Sequence, residues 1–165
     1  DGQTRKIARH AAEHLAAQGH AVELLDAADA GDLPLAALDG AVLAGSVHAG
    51  RYQGALVEFA RLRKAELSRL KTLFLSVSLA AAGDDPEDWE GLKGCVAGFI
   101  EATGWTPGRV EHVAGAFKFS EYDFFRYWAM RWIASKKDET VTPGRDRDYT
   151  DWAALSATLD DWLAG

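Results

Sequence analysis

The chain has 165 residues, of which 48% are hydrophobic and 26% are charged, and this length predicts a single domain spanning residues 1–165. A formal net charge of −7 argues against a general nucleic-acid binder, which needs a concentrated basic face. The single cysteine excludes an internal disulfide and any site with several cysteine ligands. No apolar run approaches the roughly 20 residues of a membrane span and no signal peptide is visible, so we expect a cytoplasmic protein.

The first predicted element is a helix that starts almost at once and ends near Gly19. Apolar residues recur along it at helical spacing: Ile7, Ala8, Ala11, Leu15 and Ala16. Residues 21–25 then predict a strand, which a polar stretch follows. Because an α/β chain normally opens with a strand, we expect a first strand ahead of Asp1 that is missing from this sequence.

Residues 41–45 and 72–77 predict strands buried on both faces, because each is a short apolar run. Between them, apolar residues at helical spacing predict a helix on charged ground: Leu56, Phe59, Ala60, Leu67 and Leu70. Neither Gly45 nor Gly50 carries a Cβ, so a flat ligand can approach the backbone closely here. Loops that leave the carboxyl ends of buried parallel strands bind ligands in open sheets, which makes this stretch a candidate binding loop.

An acidic run at 84–88 follows the second of these strands. Asp85 precedes Pro86, which fits an N-cap followed by proline at the first helical position. The predicted helix continues to Gly104, and Cys95 lies one step from its apolar stripe, as expected of a buried and unreactive thiol. We therefore assign this region to helix structure rather than to catalysis or metal binding.

The last predicted elements are a strand at 110–117 and a final helix that Thr150 is expected to cap. Strands that alternate with helices predict an α/β fold in which an open parallel sheet carries helices on both faces. The loops after its strands are then expected to meet at one edge of the sheet.

The segment 122–134 predicts a helix that is apolar around most of its circumference. One interpretation buries it between the sheet and the final helix. The others are a lid over a large flat substrate, a dimer surface, or an anchor on a membrane surface. Five of its residues are the candidate substrate or membrane surface: Phe125, Arg126, Trp128, Arg131 and Trp132.

The histidines carry weaker signals. His10 and His14 are one helical turn apart, but no third ligand is evident, so no metal site is predicted. His48 lies in the candidate binding loop, where it is either a solvated loop residue or a proton relay near neutral pH.

Several short motifs occur in an order that resembles the flavodoxin-like family. They are Asp1-Gly2-Gln3-Thr4, Ser46-Val47, Ser76-Val77-Ser78-Leu79, Gly115-Ala116 and Tyr149-Thr150-Asp151-Trp152. Within that family, the order is most similar to the branch of menaquinone-dependent protoporphyrinogen dehydrogenases. The likeness covers nearly the whole chain.

The resemblance implies a flavodoxin-like three-layer sandwich with an open parallel sheet of strand order 2-1-3-4-5. It also implies FMN as the cofactor, with the phosphate at residues 2–4 and the ring between the loops at 46–50 and 76–79. The residues implied to bind FMN are Gly2, Gln3, Thr4, Ser46, Val47, His48, Ala49, Gly50, Ser76, Val77, Ser78 and Leu79.

The function that the resemblance implies is that of a flavin-dependent oxidoreductase of porphyrin biosynthesis. It takes electrons from a porphyrinogen-like small-molecule substrate and passes them to a quinone-like acceptor. No catalytic acid or base is predicted. Two alternatives stay open: an electron carrier, and an interaction module that has lost FMN, which the small Ala49 at an aromatic position of the family favours. A homodimer and a peripheral contact with the inner face of the membrane also stay open.

Overall fold

Three parallel strands form the centre of the fold. The computed structural model describes residues 2–117 and 147–165. The strands β1 (Gly40–Ser46), β2 (Lys71–Ser78) and β3 (Arg109–Ala114) lie side by side in that order. Ser46 is opposite Val77, and Ser78 is opposite Ala114, so all three strands end at the same edge. The predicted α/β class with a parallel sheet is confirmed.

Helices cover both faces of this sheet. Among the described residues they are α1 (Gly2–Ala17), α2 (Gly54–Leu62), α3 (Lys64–Leu67), α4 (Pro86–Thr103) and α5 (Trp152–Ala164). Leu73, Leu75 and Val77 of β2 pack into one apolar core with residues of α1 and α5. Phe74 points to the opposite face and packs with residues of α2 and α4. The alternation of side chains along one strand thus separates two cores and gives the fold three layers.

One predicted helix cap is confirmed and another is wrong. Asp85 caps α4 by accepting a hydrogen bond from Glu87 N at 2.9 Å. Gly104 ends that helix in the left-handed region with φ 71°. The cap of α5 is Asp151, not the predicted Thr150, because the Thr150 hydroxyl donates to a backbone carbonyl of β3 instead.

Two predicted boundaries are wrong. The single helix expected between the central strands is interrupted at Arg63 and forms α2 and α3. The strand expected at 110–117 breaks at Gly115, whose N–H still donates to Ser78 O at 2.9 Å. The chain then turns away, and β4 (Ala116–Phe117) pairs antiparallel with β5 (Arg147–Asp148).

Residues 21–25 are not a strand, which corrects the first strand prediction. They are exposed, and the relative accessibility of Val22, Leu24 and Leu25 is 40–47%. A groove of about 550 Å³ separates this segment from β1. In the predicted order 2-1-3-4-5, this strand would pair only with strand 1, and within the described residues no strand stands between 21–25 and β1. The order β1-β2-β3 fits the 3-4-5 half of that prediction, and the 2-1 half stays a prediction.

The helices among the described residues are all too short or too polar to cross a bilayer. The aromatic segment 122–134 lies outside the described residues. The predictions for Phe125, Arg126, Trp128, Arg131 and Trp132 therefore stay predictions.

Candidate functional site

The loop after β1 closes as a two-residue turn. His48 N donates to Arg51 O at 2.8 Å, and Arg51 N donates to His48 O at 3.0 Å. The two residues between them have positive φ, 50° at Ala49 and 76° at Gly50. This is the geometry of a tight hairpin turn, which favours glycine or asparagine. The tip of the loop is exposed and has no side chain larger than a methyl group at these two positions.

Ala49 adopts a conformation that is costly for a residue with a Cβ. Replacing Ala49 with Gly should therefore raise the free energy of unfolding by about 1 kcal/mol, less a small loss from the more flexible unfolded chain. The measurement is urea unfolding of both proteins. Ala153→Gly is the matched control, because Ala153 is exposed within α5. That change should lower the free energy of unfolding by about 1 kcal/mol. An Ala49→Gly protein that is also destabilised would contradict the positive φ.

Gly45 and Gly50 have different roles. A Cβ at Gly45 would overlap Leu56 Cδ2 and stand 3.2 Å from Tyr52 Cδ1. The space above Gly45 is therefore filled by the protein's own side chains, and the expected approach of a flat ligand there is not available. At Gly50, among the described residues, nothing lies within 4 Å of such an atom. The open side of this loop is at its tip.

The residues predicted to line the ring after β2 are mostly inside the strand. Ser76, Val77 and Ser78 belong to β2 and are buried. The Ser76 hydroxyl bonds to Tyr52, and Val77 packs in the core beneath α1 and α5. Only Leu79, half-buried, lies beyond the strand, where a short turn over 80–82 begins. The side chains of Ser76 and Val77 thus point into the two cores. Their backbone groups, and not their side chains, lie at the end of the sheet.

The start of α1 is fixed at the same edge. Gln3 is buried, and its side-chain Nε2 donates to Asp148 Oδ1 at 3.0 Å and to Thr150 Oγ1 at 2.9 Å. The Thr150 hydroxyl in turn donates to Ala114 O, the last residue of β3, at 2.6 Å. These bonds place the first turn of α1 beside the carboxyl end of the sheet. Thr4, the next residue, is half-buried there.

The ends of β1 and β2 are joined beyond the strands themselves. Val47 N donates to Val77 O at 2.9 Å, which extends the ladder by one residue. The structure therefore brings the three predicted segments, 2–4, 46–50 and 76–79, to one edge of the sheet. Within them, the exposed or half-exposed residues are Gly2, Thr4, Val47, His48, Ala49, Gly50 and Leu79.

Two groups at this edge have altered acid–base behaviour. Desolvation lowers the pKa of His48 below its usual value, so the imidazole is neutral near pH 7 with one donor and one acceptor nitrogen. Burial raises the pKa of Tyr52 to about 12, so its hydroxyl keeps its proton.

The histidine pair His10 and His14 lies away from this edge, between α1 and α5. His10 Nε2 is 2.8 Å from Ser156 Oγ, and His14 Nε2 is 2.7 Å from Asp160 Oδ1. Both imidazoles thus have partners in α5. Across the described residues, no three metal-ligating side chains are grouped together.

A family model described as a flavodoxin domain matches residues 1–142. The chain belongs to the flavodoxin domain family. The predicted family is confirmed.

Two curated relatives are similar over nearly the whole chain. The protoporphyrinogen IX dehydrogenase (quinone) of Leishmania major is 26% identical over 165 residues, which are 99% of this chain and 71% of that protein. The protein of the same name from Escherichia coli strain K12 is 24% identical over 156 residues, or 94% of this chain and 86% of that protein. No solved structure gives a significant match. Both relatives carry the name of the protoporphyrinogen dehydrogenase branch, to which the order of the motifs is most similar.

Proposed function

We propose that this flavodoxin-domain chain binds FMN and is an oxidoreductase that passes electrons from a porphyrinogen-like substrate to a quinone-like acceptor. The observation that carries the proposal is the meeting of three segments, 2–4, 46–50 and 76–79, at one edge of a parallel sheet. The names of the two relatives support the substrate and acceptor classes.

The residues at this edge fit FMN by their chemistry. The N-terminus of α1 offers backbone N–H groups and a favourable dipole to a phosphate, and the Thr4 hydroxyl is at hand in its first turn. The tip at Ala49 and Gly50 has little side-chain bulk, which suits a flat ring. Residues 2–4 would hold the phosphate, and the backbone of 47–50 and of 77–79 would lie along the ring.

When bound, FMN would supply the two-electron redox chemistry. The chain's own residues bind and orient it. His48, neutral near pH 7, holds a proton at one ring nitrogen and can accept a hydrogen bond at the other. Val77 and Ser78 end β2, which is buried from Thr72 onward, and this gives that side of the site a rigid wall.

The test of the cofactor site is Thr4→Ala. If the hydroxyl bonds a buried phosphate oxygen, its loss should weaken FMN binding by roughly 1–3 kcal/mol. The measurement is titration of flavin fluorescence with the wild type and the variant. Thr106→Ala is the matched control, since Thr106 is exposed just before β3, at the opposite edge of the sheet, and its loss should leave binding unchanged.

Two outcomes would count against the proposal. A wild-type chain that does not quench flavin fluorescence and stays colourless with added FMN contradicts cofactor binding. Equal FMN affinity in the Thr4→Ala and wild-type proteins contradicts the phosphate position. Anaerobic turnover with a porphyrinogen and a quinone then tests the substrate class.

The second candidate function is an interaction module without FMN. Gln3 was predicted to lie at the FMN phosphate, but its side-chain Nε2 donates to Asp148 and Thr150 instead. This use of the Gln3 amide within the chain favours the module without FMN. A failed FMN titration by a folded wild-type protein would make this the better proposal.

A further inference from the structure

Two consecutive residues after the hairpin bond to the ends of different strands. The Tyr52 hydroxyl is 2.7 Å from Ser76 Oγ, near the end of β2. The Gln53 side chain bonds to both the backbone N and the hydroxyl of Ser46, the last residue of β1. We call these two residues the Tyr52–Gln53 pair.

The orientation of the Gln53 amide follows from its partners. Ser46 N can only donate, so the atom 3.2 Å from it must be the acceptor Oε1. Gln53 Nε2 then donates to Ser46 Oγ. The Ser46 hydroxyl accepts this bond, and its own proton is directed away from Gln53. One amide side chain thereby fixes both the backbone and the hydroxyl of the last residue of β1.

The bonds to Ser46 take the place of a helix-capping bond by Gln53. Gln53 is the N-cap residue of α2, but among the described residues its side chain makes no capping hydrogen bond. Ser, Thr, Asp and Asn are the residues that usually cap helices, since their short side chains reach the first-turn N–H groups. The longer Gln53 side chain instead reaches back across the loop to Ser46.

Tyr52 is held from several directions. Tyr52 is 7% exposed, and its ring centroid lies 5.1 Å from that of Phe74 and 5.4 Å from that of Phe99. Both contacts are edge-on, a favourable geometry for aromatic pairs. Ser76, the partner of its hydroxyl, has no exposed surface. The hydroxyl is therefore a fixed connection between the loop after β1 and the end of β2.

We propose that the Tyr52–Gln53 pair positions the two strand ends, so that the loops that leave them, residues 48–50 after β1 and Leu79 onward after β2, keep the arrangement that a flat ring bound against both requires. This rests on the proposed FMN site. Neither residue needs to touch the ring, because Gln53 acts through Ser46 and Tyr52 acts through Ser76.

The test uses Gln53→Met and Tyr52→Phe, which keep the size of each side chain and remove its hydrogen bonds. Each should raise the dissociation constant of FMN about tenfold, because only about a tenth of the free protein would then hold the loop arrangement that binds. Each should also shift the absorption spectrum of the bound flavin. In the protein without FMN, amide hydrogen exchange should speed up at residues 47–50 in Gln53→Met and at 76–79 in Tyr52→Phe.

The controls separate positioning from general stability. Gln18→Met removes a glutamine that bonds to Asp160 and His14 at the far end of α1, and it should change neither FMN affinity nor loop exchange. The double variant Tyr52→Phe/Ser76→Ala should bind FMN as weakly as Tyr52→Phe and no weaker, because both changes remove the same connection.

The outcomes distinguish this proposal from the proposed function. If the wild type fails to bind FMN, the function is wrong, and unchanged exchange in the variants would overturn the positioning role as well. If the wild type binds FMN and both variants bind equally well, the positioning role is overturned while the function stands. Faster exchange with unchanged flavin affinity and spectrum also overturns it, since the bonds would then serve the fold alone.

Discussion

A Phe74→Ala protein should lose about 3–5 kcal/mol of unfolding free energy, the usual cost of removing a buried phenylalanine. Phe74 has no exposed surface and sits on the central strand β2. Its ring stacks on Phe99 with centroids 4.6 Å apart and meets the edge of Tyr52. The backbone of a central strand has neighbours on both sides, so it cannot move in to fill the cavity. Urea unfolding monitored by circular dichroism measures the loss.

The Phe74→Ala change should also alter amide exchange at the edge of the sheet that bears the loops. Tyr52 loses one of its two ring contacts, so exchange of the amides at 76–79 should speed up in the folded protein. Phe59→Ala is the control, because Phe59 is only partly buried in α2 and should cost less. A Phe74→Ala loss no larger than the Phe59→Ala loss would mean that the ring cluster is not packed as described.

Local patterns in the sequence predicted the elements whose causes are local. The strands near 41–45 and 72–77 are unbroken apolar runs, and each is found within a residue or so of its expected bounds. The start of α4 follows from Asp85 and Pro86 alone, since capping involves neighbours in the chain. These features depend on no distant contact.

The errors come from contacts between distant residues. Residues 21–25 have a strand pattern, but a strand also needs a hydrogen-bonding neighbour. The split of the last strand at Gly115 depends on β5, which comes about 30 residues later. Thr150 has a capping side chain, but a carbonyl of β3 takes its hydroxyl, and Asp151 caps the helix instead.

The order of the motifs predicted which segments form the candidate site. It did not predict the direction in which their side chains point. Ser76 and Val77 were expected to line a ring, whereas alternation along β2 sends them into opposite cores. Tyr52 and Gln53 were not singled out. The available signal was the glutamine just before a predicted helix, since glutamine is an unusual cap and indicates that its side chain has another partner.

The groove between residues 21–25 and β1 has the walls of a strand site. Five residues of β1, 40–44, line it. Ala8, Ala11 and Leu15 of α1 line it on one side, and Leu33 and Leu35 line it on the other. An apolar strand placed here would bond to β1 and bury its side chains on both faces.

A chain extended ahead of Asp1 by six β-branched apolar residues should therefore be more stable by about 3 kcal/mol. Six buried side chains contribute about 2 kcal/mol each, and ordering them costs about 1.5 kcal/mol per residue. A right-handed crossover from that strand through α1 to residues 21–25 leaves the added strand between 21–25 and β1, where it can pair with both. Urea unfolding measures the gain, and slower amide exchange at 21–25 reports the new pairing.

An extension of the same length made of Gly and Ser is the control and should leave the stability unchanged, because it buries no apolar surface. A gain with the apolar extension but no protection at 21–25 would place the added strand elsewhere. No gain at all would mean that the groove does not accept a strand, and the 2-1 half of the order 2-1-3-4-5 would be wrong for this chain. A gain together with protection at 21–25 would make that segment the outer strand of a five-stranded parallel sheet.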